Sequence, residues 1–316
     1  MLTRRYILVT ISFIGLSAAG AYGQWIRTAG PDGGQILSMA ANESRLVVGT
    51  EYGGVYVSAD SGSSWNTTDI GWPQERTQAL AMRDSLLFAG TERSGILLST
   101  DYGTHWKSVN IGLTCKEVNV LAVCGTTLFA GTTAGLFIST NNGEGWSLVT
   151  NGLMNTNIYS LAVCGKTLVV GTIGLGVFCS RDNGGSWTRS EDGLEKFSCV
   201  RALAVNGASL FAGTDDGVFL STNDGLNWVR ASNGLSNHIL LSLAVHGGLL
   251  FAGTWGSGVF VSSDQGANWI TYANDRMYTN VWSLLVHGLN LYAGTYGHQR
   301  EGTYGGSIWR RRLARD

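Results

Sequence analysis

Seven Gly-Thr dipeptides recur along the chain at Gly49, Gly90, Gly131, Gly171, Gly213, Gly253 and Gly294, at intervals of 40 to 42 residues. Each closes a short apolar run such as Leu-Phe-Ala-Gly-Thr. About nine residues before it lies another run, most often Leu-Ala-Val, as at Leu121–Val123, Leu161–Val163, Leu203–Val205 and Leu243–Val245. A third run follows the pair, as in Gly217-Val218-Phe219-Leu220-Ser221, and a fourth opens with Trp65, Trp106, Trp146, Trp187, Trp228 or Trp269. A period of this length marks one supersecondary unit copied many times. The 45 glycines against 2 prolines suit many short strands joined by tight turns. Four strands per copy make an antiparallel meander, whose two apolar faces cannot be buried by the copy alone. Stacking the copies in a closed ring buries both faces and leaves only short edges.

The expected fold is therefore all-β: a seven-bladed β-propeller of four-stranded antiparallel blades over residues 24–316. The last repeat supplies three strands, around 281–286, 290–295 and 307–312, and lacks its fourth. Trp25 sits 40 residues before Trp65, in phase with the other blade-opening tryptophans. Residues 25–29 are thus expected to complete blade seven and close the ring.

Residues 1–23 read as a secretory signal peptide: a basic start at Arg4 and Arg5, an apolar run from Tyr6 to Ala19, then Ala21 and Gly23 before a cleavage point at Gln24. The run falls short of the roughly 20 residues a membrane span needs, and no later segment could cross as a helix. The expected location is secreted or periplasmic. A net charge of −1 gives no general attraction to phosphate, which argues against nucleic acid as a partner. The one basic run, Arg310, Arg311, Arg312 and Arg315, reads as a solvated chain end or as a contact for an anionic partner. The five cysteines, Cys115, Cys124, Cys164, Cys179 and Cys199, leave at least one unpaired within the chain.

Six of the hairpins between third and fourth strands carry Ser-x-Asp/Asn-x-Gly-x-x-Trp. Their central residues are Asp60, Asp101, Asn141, Asp182, Asn223 and Asp264. A short side-chain oxygen at that position accepts hydrogen bonds from following amides, and the glycine takes positive φ. Asn replaces Asp in two copies, keeping the acceptor and deleting the charge, so the position reads as structural rather than catalytic or metal-binding. These turns resemble the Asp-box, or bacterial neuraminidase, repeat of sialidases, oligoxyloglucan-active glycosidases, sortilin-type receptors and photosystem II assembly-factor propellers. The resemblance spans essentially all of residues 24–316. It implies a propeller with the boxes on the rim of one face, remote from where family members bind ligands, and by itself implies no activity.

Function is therefore expected on the opposite face, built from the loops entering each inner strand and those joining second to third strands. The longest such loop is 296–305 in blade seven. Candidate ligand-binding residues there are Tyr52, Trp72, Trp255, Tyr278, Trp282, Tyr296, His298 and Arg300. Their aromatic rings either pack between blades or form a patch for a protein segment or glycan. The sialidase set of an Arg-Ile-Pro start, three arginines and a Tyr-Glu pair is not recognisable, since Arg27 precedes Thr28-Ala29. Asp215-Asp216 comes nearest to the paired carboxyls of a glycosidase but reads as turn residues. The inner-hairpin turns hold Asn42, Arg83, Cys124, Cys164, Asn206, His246 and His287, one per blade. A Cys124–Cys164 bridge is conceivable there, but no metal site or cofactor is expected. The leading reading is a non-catalytic scaffold binding a protein partner on its loop face. A glycan-binding or glycan-cleaving propeller is the alternative.

Overall fold

The computed structural model describes residues 23–31, 34–68, 71, 75–153, 156–164, 166–190, 192–194, 199–235, 238–272, 280–298 and 304–314. Among them are seven four-stranded antiparallel sheets and no helix. Blades one to seven are counted from the inner strands Ile36–Ala41, Thr77–Arg83, Val118–Cys124, Ile158–Cys164, Val200–Asn206, Leu240–His246 and Asn280–His287. Each inner strand packs on that of the next blade, and blade seven packs on blade one. Ser38 Oγ donates to Thr77 O, Ser160 to Val200 O and Ser242 to Val281 O, each across one blade boundary. Ser283 Oγ makes the same bond to Ile36 O at 3.1 Å, across the ends of the sequence.

The Gly-Thr pair serves this stacking. A Cβ on Gly49 would lie 2.4 Å from Ser38 Oγ and 2.6 Å from Thr77 O, so only glycine admits the neighbouring inner strand. Thr50 and its counterparts are buried and donate across the following loop, as Thr50 Oγ1 does to Gly54 O. Three of the six hairpin tryptophans reach back across the other boundary: Trp146 Nε1 donates to Val109 O, Trp228 Nε1 to Ser190 Oγ and Trp269 Nε1 to Ala231 O, whereas Trp106 and Trp187 donate to Gly103 O and Gly184 O of their own turns.

In the six Ser-x-Asp/Asn hairpins the glycine amide donates to the serine Oγ, and the amide four residues past the acidic or amide residue donates to its Oδ1. Ser64 N reaches Asp60 Oδ1 at 2.8 Å, and Gly145 N and Asn227 N reach Asn141 and Asn223 Oδ1 at 2.9 and 3.0 Å. Asparagine thus forms the same bond at nearly the same length. The residue before each glycine also has positive φ, at Ser61, Tyr102, Asn142, Asn183, Asp224 and Gln265. Only the glycine was expected to adopt it.

Blade seven differs. Its fourth strand is Ile26–Arg27, pairing Ile26 with Arg310 and Arg27 with Trp309. The expected long loop after Tyr296 is in part a continuation of the hairpin, whose pairing runs out to His298 and Tyr304. The basic run is not merely a solvated end. Arg310 NH1 donates to Ser61 O in blade one, while Arg311 NH1 donates to Tyr272 O beyond blade six and lies over the Tyr272 ring. Cys115, Cys124, Cys179 and Cys199 are free thiols, so the conceivable Cys124–Cys164 bridge does not form. Residues 1–22 lie outside the described residues. Among the described ones, no helix is long and apolar enough to cross a membrane, and no cluster of ligating side chains could hold a metal.

Candidate functional site

Every inner strand carries a register shift at its entry, between Ile36 and Ser38, Thr77 and Ala79, Val118 and Val120, Ile158 and Ser160, Val200 and Ala202, Leu240 and Ser242, and Val281 and Ser283. The first residue of each pair is fully buried and anchors the strand to its blade. The residue between is left unpaired and re-aimed, as β-bulges do beside binding sites. These seven residues are Leu37, Gln78, Asn119, Tyr159, Arg201, Leu241 and Trp282, and together with Arg76 they line one cavity of about 140 Å3. A cavity that takes one residue from every blade lies where the seven inner strands converge, on the ring axis. Because the bulges occur where the strands enter, it opens toward the loop face, opposite the Ser-x-Asp hairpins.

The lining is divided by chemistry. Consecutive blades six, seven and one contribute Leu241, Trp282 and Leu37, an apolar wall. Blades two to five contribute Gln78, Asn119, Tyr159 and Arg201. Arg201 Nε donates to Asp215 Oδ1 at 2.8 Å and its guanidinium stands 5.9 Å from the Tyr159 ring centroid. Burial works against the Arg201 charge, but the Asp215 bond and charge outweigh it and push the pKa up. Arg76 lies 3.5 Å from Glu92 and 3.9 Å from Glu51. Asn119 Nδ2 donates to Asn157 Oδ1 and Ile158 O, which fixes its amide. The Nε1 of Trp282 and the Nε of Arg76 are buried without a hydrogen-bond partner. No carboxylate is among the described lining residues.

Of the residues expected from sequence, Trp282 lines the cavity. Trp255 stands against it with ring centroids 5.8 Å apart at 66°, and is 53% exposed. Tyr52 is exposed on the rim of blade one, where Glu51 raises its phenol pKa. Tyr296 pairs with Asn280 and Gly306 in the blade-seven hairpin, and His298 ends that strand. Trp72, Tyr278, Arg300 and the His298 side chain lie outside the described residues. Asp215 is engaged by Arg201, and Asp216 N caps the same turn on Thr214 Oγ1. Leu37, Gln78, Asn119 and Leu241 were not anticipated. Their signal is present in the repeat: within the frame of a buried residue, x, then mostly Ser or Ala, then mostly Leu, x changes character most from copy to copy.

No protein-family model matches the chain, and no curated protein does. Solved structures with the same architecture are similar to it. YCF48 from Cyanidioschyzon merolae is 13% identical with a TM-score of 0.72, over 91% of this chain and 98% of that one. YCF48 bound to D1 peptide is 14% identical with a TM-score of 0.72, over 93% and 95%. The GH74 xyloglucanase from Xanthomonas campestris is 17% identical with a TM-score of 0.70, over 92% of this chain and 54% of the enzyme. At such identities the likeness establishes the seven-bladed fold.

Proposed function

We propose that this is an exported, non-catalytic Asp-box propeller that binds a protein segment on its loop face, over the axial cavity. The observation that carries the reading is the set of seven bulged residues: the repeat keeps their neighbours small or buried and varies most what faces the axis. The exposed Trp255 and Tyr52 extend that surface over blades six, seven and one, and aromatic side chains of this kind dominate binding energy at protein interfaces. YCF48 in complex with D1 peptide supports the reading, since that propeller of the same architecture holds a peptide. The D1 peptide itself is not carried over as a partner. The N-terminal pattern of basic, apolar and small residues supports export.

The glycan alternative draws on the exposed Trp255 and on the likeness to a xyloglucanase. Against it, the Trp255 and Trp282 rings meet edge to face rather than forming a parallel platform. Glycoside hydrolysis needs two carboxyls roughly 5–9.5 Å apart across the sugar, and Asp215, Glu92 and Glu51 are each near an arginine instead. The test is affinity capture from the native cell envelope, followed by reconstitution with the purified captured protein. Tyr52→Ala with Trp255→Ala is expected to abolish reconstituted binding while the melting temperature holds. Equal binding by both forms refutes the reading, and glycan-array binding without any protein partner transfers it to the alternative.

A further inference from the structure

We propose that the axial cavity binds a single carboxylate carried on a short apolar stem, whether an acidic side chain of a protein segment or a small organic acid. The size comes first: about 140 Å3 is well below the roughly 300–1,000 Å3 of sites that enclose drug-sized ligands, so one side chain or a small acid fills it and an oligosaccharide does not. The hydrogen-bonding inventory comes second, and it is donor-rich. Trp282 Nε1 and Arg76 Nε are buried and unpartnered, and a buried donor left unmade is costly until something accepts from it. Among the described residues, Arg201 hydrogen-bonds through Nε to Asp215. That bond fixes the guanidinium and leaves its two terminal nitrogens as a planar fork, the geometry that grips a carboxylate with two parallel bonds.

The apolar wall of Leu241, Trp282 and Leu37 faces this donor set and supplies the place for the stem. Asp215, Glu92 and Glu51 flank the arginines from outside the lining. They hold the two guanidinium groups in position, and three carboxylates against two guanidinium groups leave no net positive charge, so an isolated acid is expected to bind weakly, and the amide analogue more weakly still.

The inference rests on the loop face being a binding surface, and its test is separate from that reading. The full chain is titrated with butyrate, butyramide and N-acetylglutamate N-methylamide, following tryptophan fluorescence and the indole N–H resonances. Saturable binding of both acids is expected, with butyramide binding more weakly than either. Tighter binding of the capped glutamate assigns the site to a protein side chain, and tighter binding of butyrate to a free acid. Arg201→Gln is expected to weaken either by about tenfold, with partial recovery in Arg201→Lys. Trp282→Phe, which keeps the wall and deletes the N–H, is a second variant should Arg201→Gln fail to fold. Equal binding of butyramide, no saturation by either acid, or wild-type affinity in the folded variants overturns the inference. If partner capture still depends on Tyr52 and Trp255 while the cavity takes no acid, this inference falls and the broader reading stands.

Discussion

Blades one to six and blade seven solve the same problem with different chemistry. In the six, a Ser-x-Asp/Asn turn joins the third and outer strands, and local hydrogen bonds hold the hairpin together. Blade seven takes its outer strand from the other end of the chain, so no turn can hold it. Long-range contacts replace the turn. Trp25 is 5% exposed, its Nε1 donates to Tyr272 O at 2.8 Å, and its ring meets Tyr272 edge-on. This bond has the form of Trp269 to Ala231 O one blade earlier. Arg311 shares the Tyr272 carbonyl, while Arg310 and Tyr292 both donate to Ser61 O in blade one. The difference teaches that the ring's integrity is local in six blades and depends on a latch in the seventh.

The comparison breaks most completely if the latch is removed. Deleting residues 24–28 is expected to cost more than the roughly 3–5 kcal/mol of truncating one buried tryptophan, and to abolish cooperative melting. Trp25→Ala alone is expected to cost about 3–5 kcal/mol, the same as Trp269→Ala. If thermal melts show Trp25→Ala to be nearly silent, the latch is not what closes the ring.

Next in size is the blade-to-blade approach. Gly294→Ala puts a Cβ 2.4 Å from Ser283 Oγ and 2.6 Å from Ile36 Cγ2, an overpacking expected to cost about 1–3 kcal/mol. Gly49→Ala makes the same clash within the contiguous blades. Urea midpoints for the two test whether the seam between blades seven and one is as stiff as the others, and a much smaller loss for Gly294→Ala would show that the seam yields. Arg311→Met, which keeps the stem over Tyr272 and withdraws one donor from Tyr272 O, is expected to cost about 1 kcal/mol.

The same contrast explains what could be read in advance. The blades were legible because packing repeats: Gly49 and its six counterparts recur for one steric reason, and Trp25 betrayed the latch by its phase. The axial site was legible only in part. Trp282, Tyr159 and Arg201 stand out by residue type, whereas Leu37 and Leu241 look like ordinary core residues, and the bulge that turns them to the axis is a backbone event with no composition of its own. Arg310 and Arg311 misled for the opposite reason. A run of charge at a chain end resembles a solvated tail until the ring brings Ser61 and Tyr272 alongside it.

The smallest effect expected is also the most selective, because it acts on the Ser-x-Asp hairpins and spares the latch. Asp60 and Asp182 are held down to about 2, through the hydroxyl and amide of Ser64 for the first and of Ser186 for the second, with Ser58 and Ser180 adding further bonds. Asp101 is lowered through the His105 amide and ring, and in Asp264 bonds from Asn268 outweigh an opposing effect of burial. A carboxyl whose folded pKa lies below its unfolded value contributes stability that is fully present above the unfolded value, near 4, and is lost as pH falls through the folded one. Acid is therefore expected to loosen the four Asp hairpins between about pH 4 and pH 2, while the Asn141 and Asn223 hairpins and the latch, whose named contacts include no carboxylate, keep their bonds. These groups are at the surface, so solvent screening keeps each contribution small. Amide hydrogen exchange at about pH 5 and about pH 2.5, corrected for the intrinsic rate, is the readout. Protection is expected to fall at Ser64, His105, Ser186 and Asn268, and to persist at Gly145, Asn227 and Thr28, the last of which donates to Ile308 O in the latch. Uniform loss at all seven positions would mean that the hairpins and the latch are not independent, and that the ring opens as one unit.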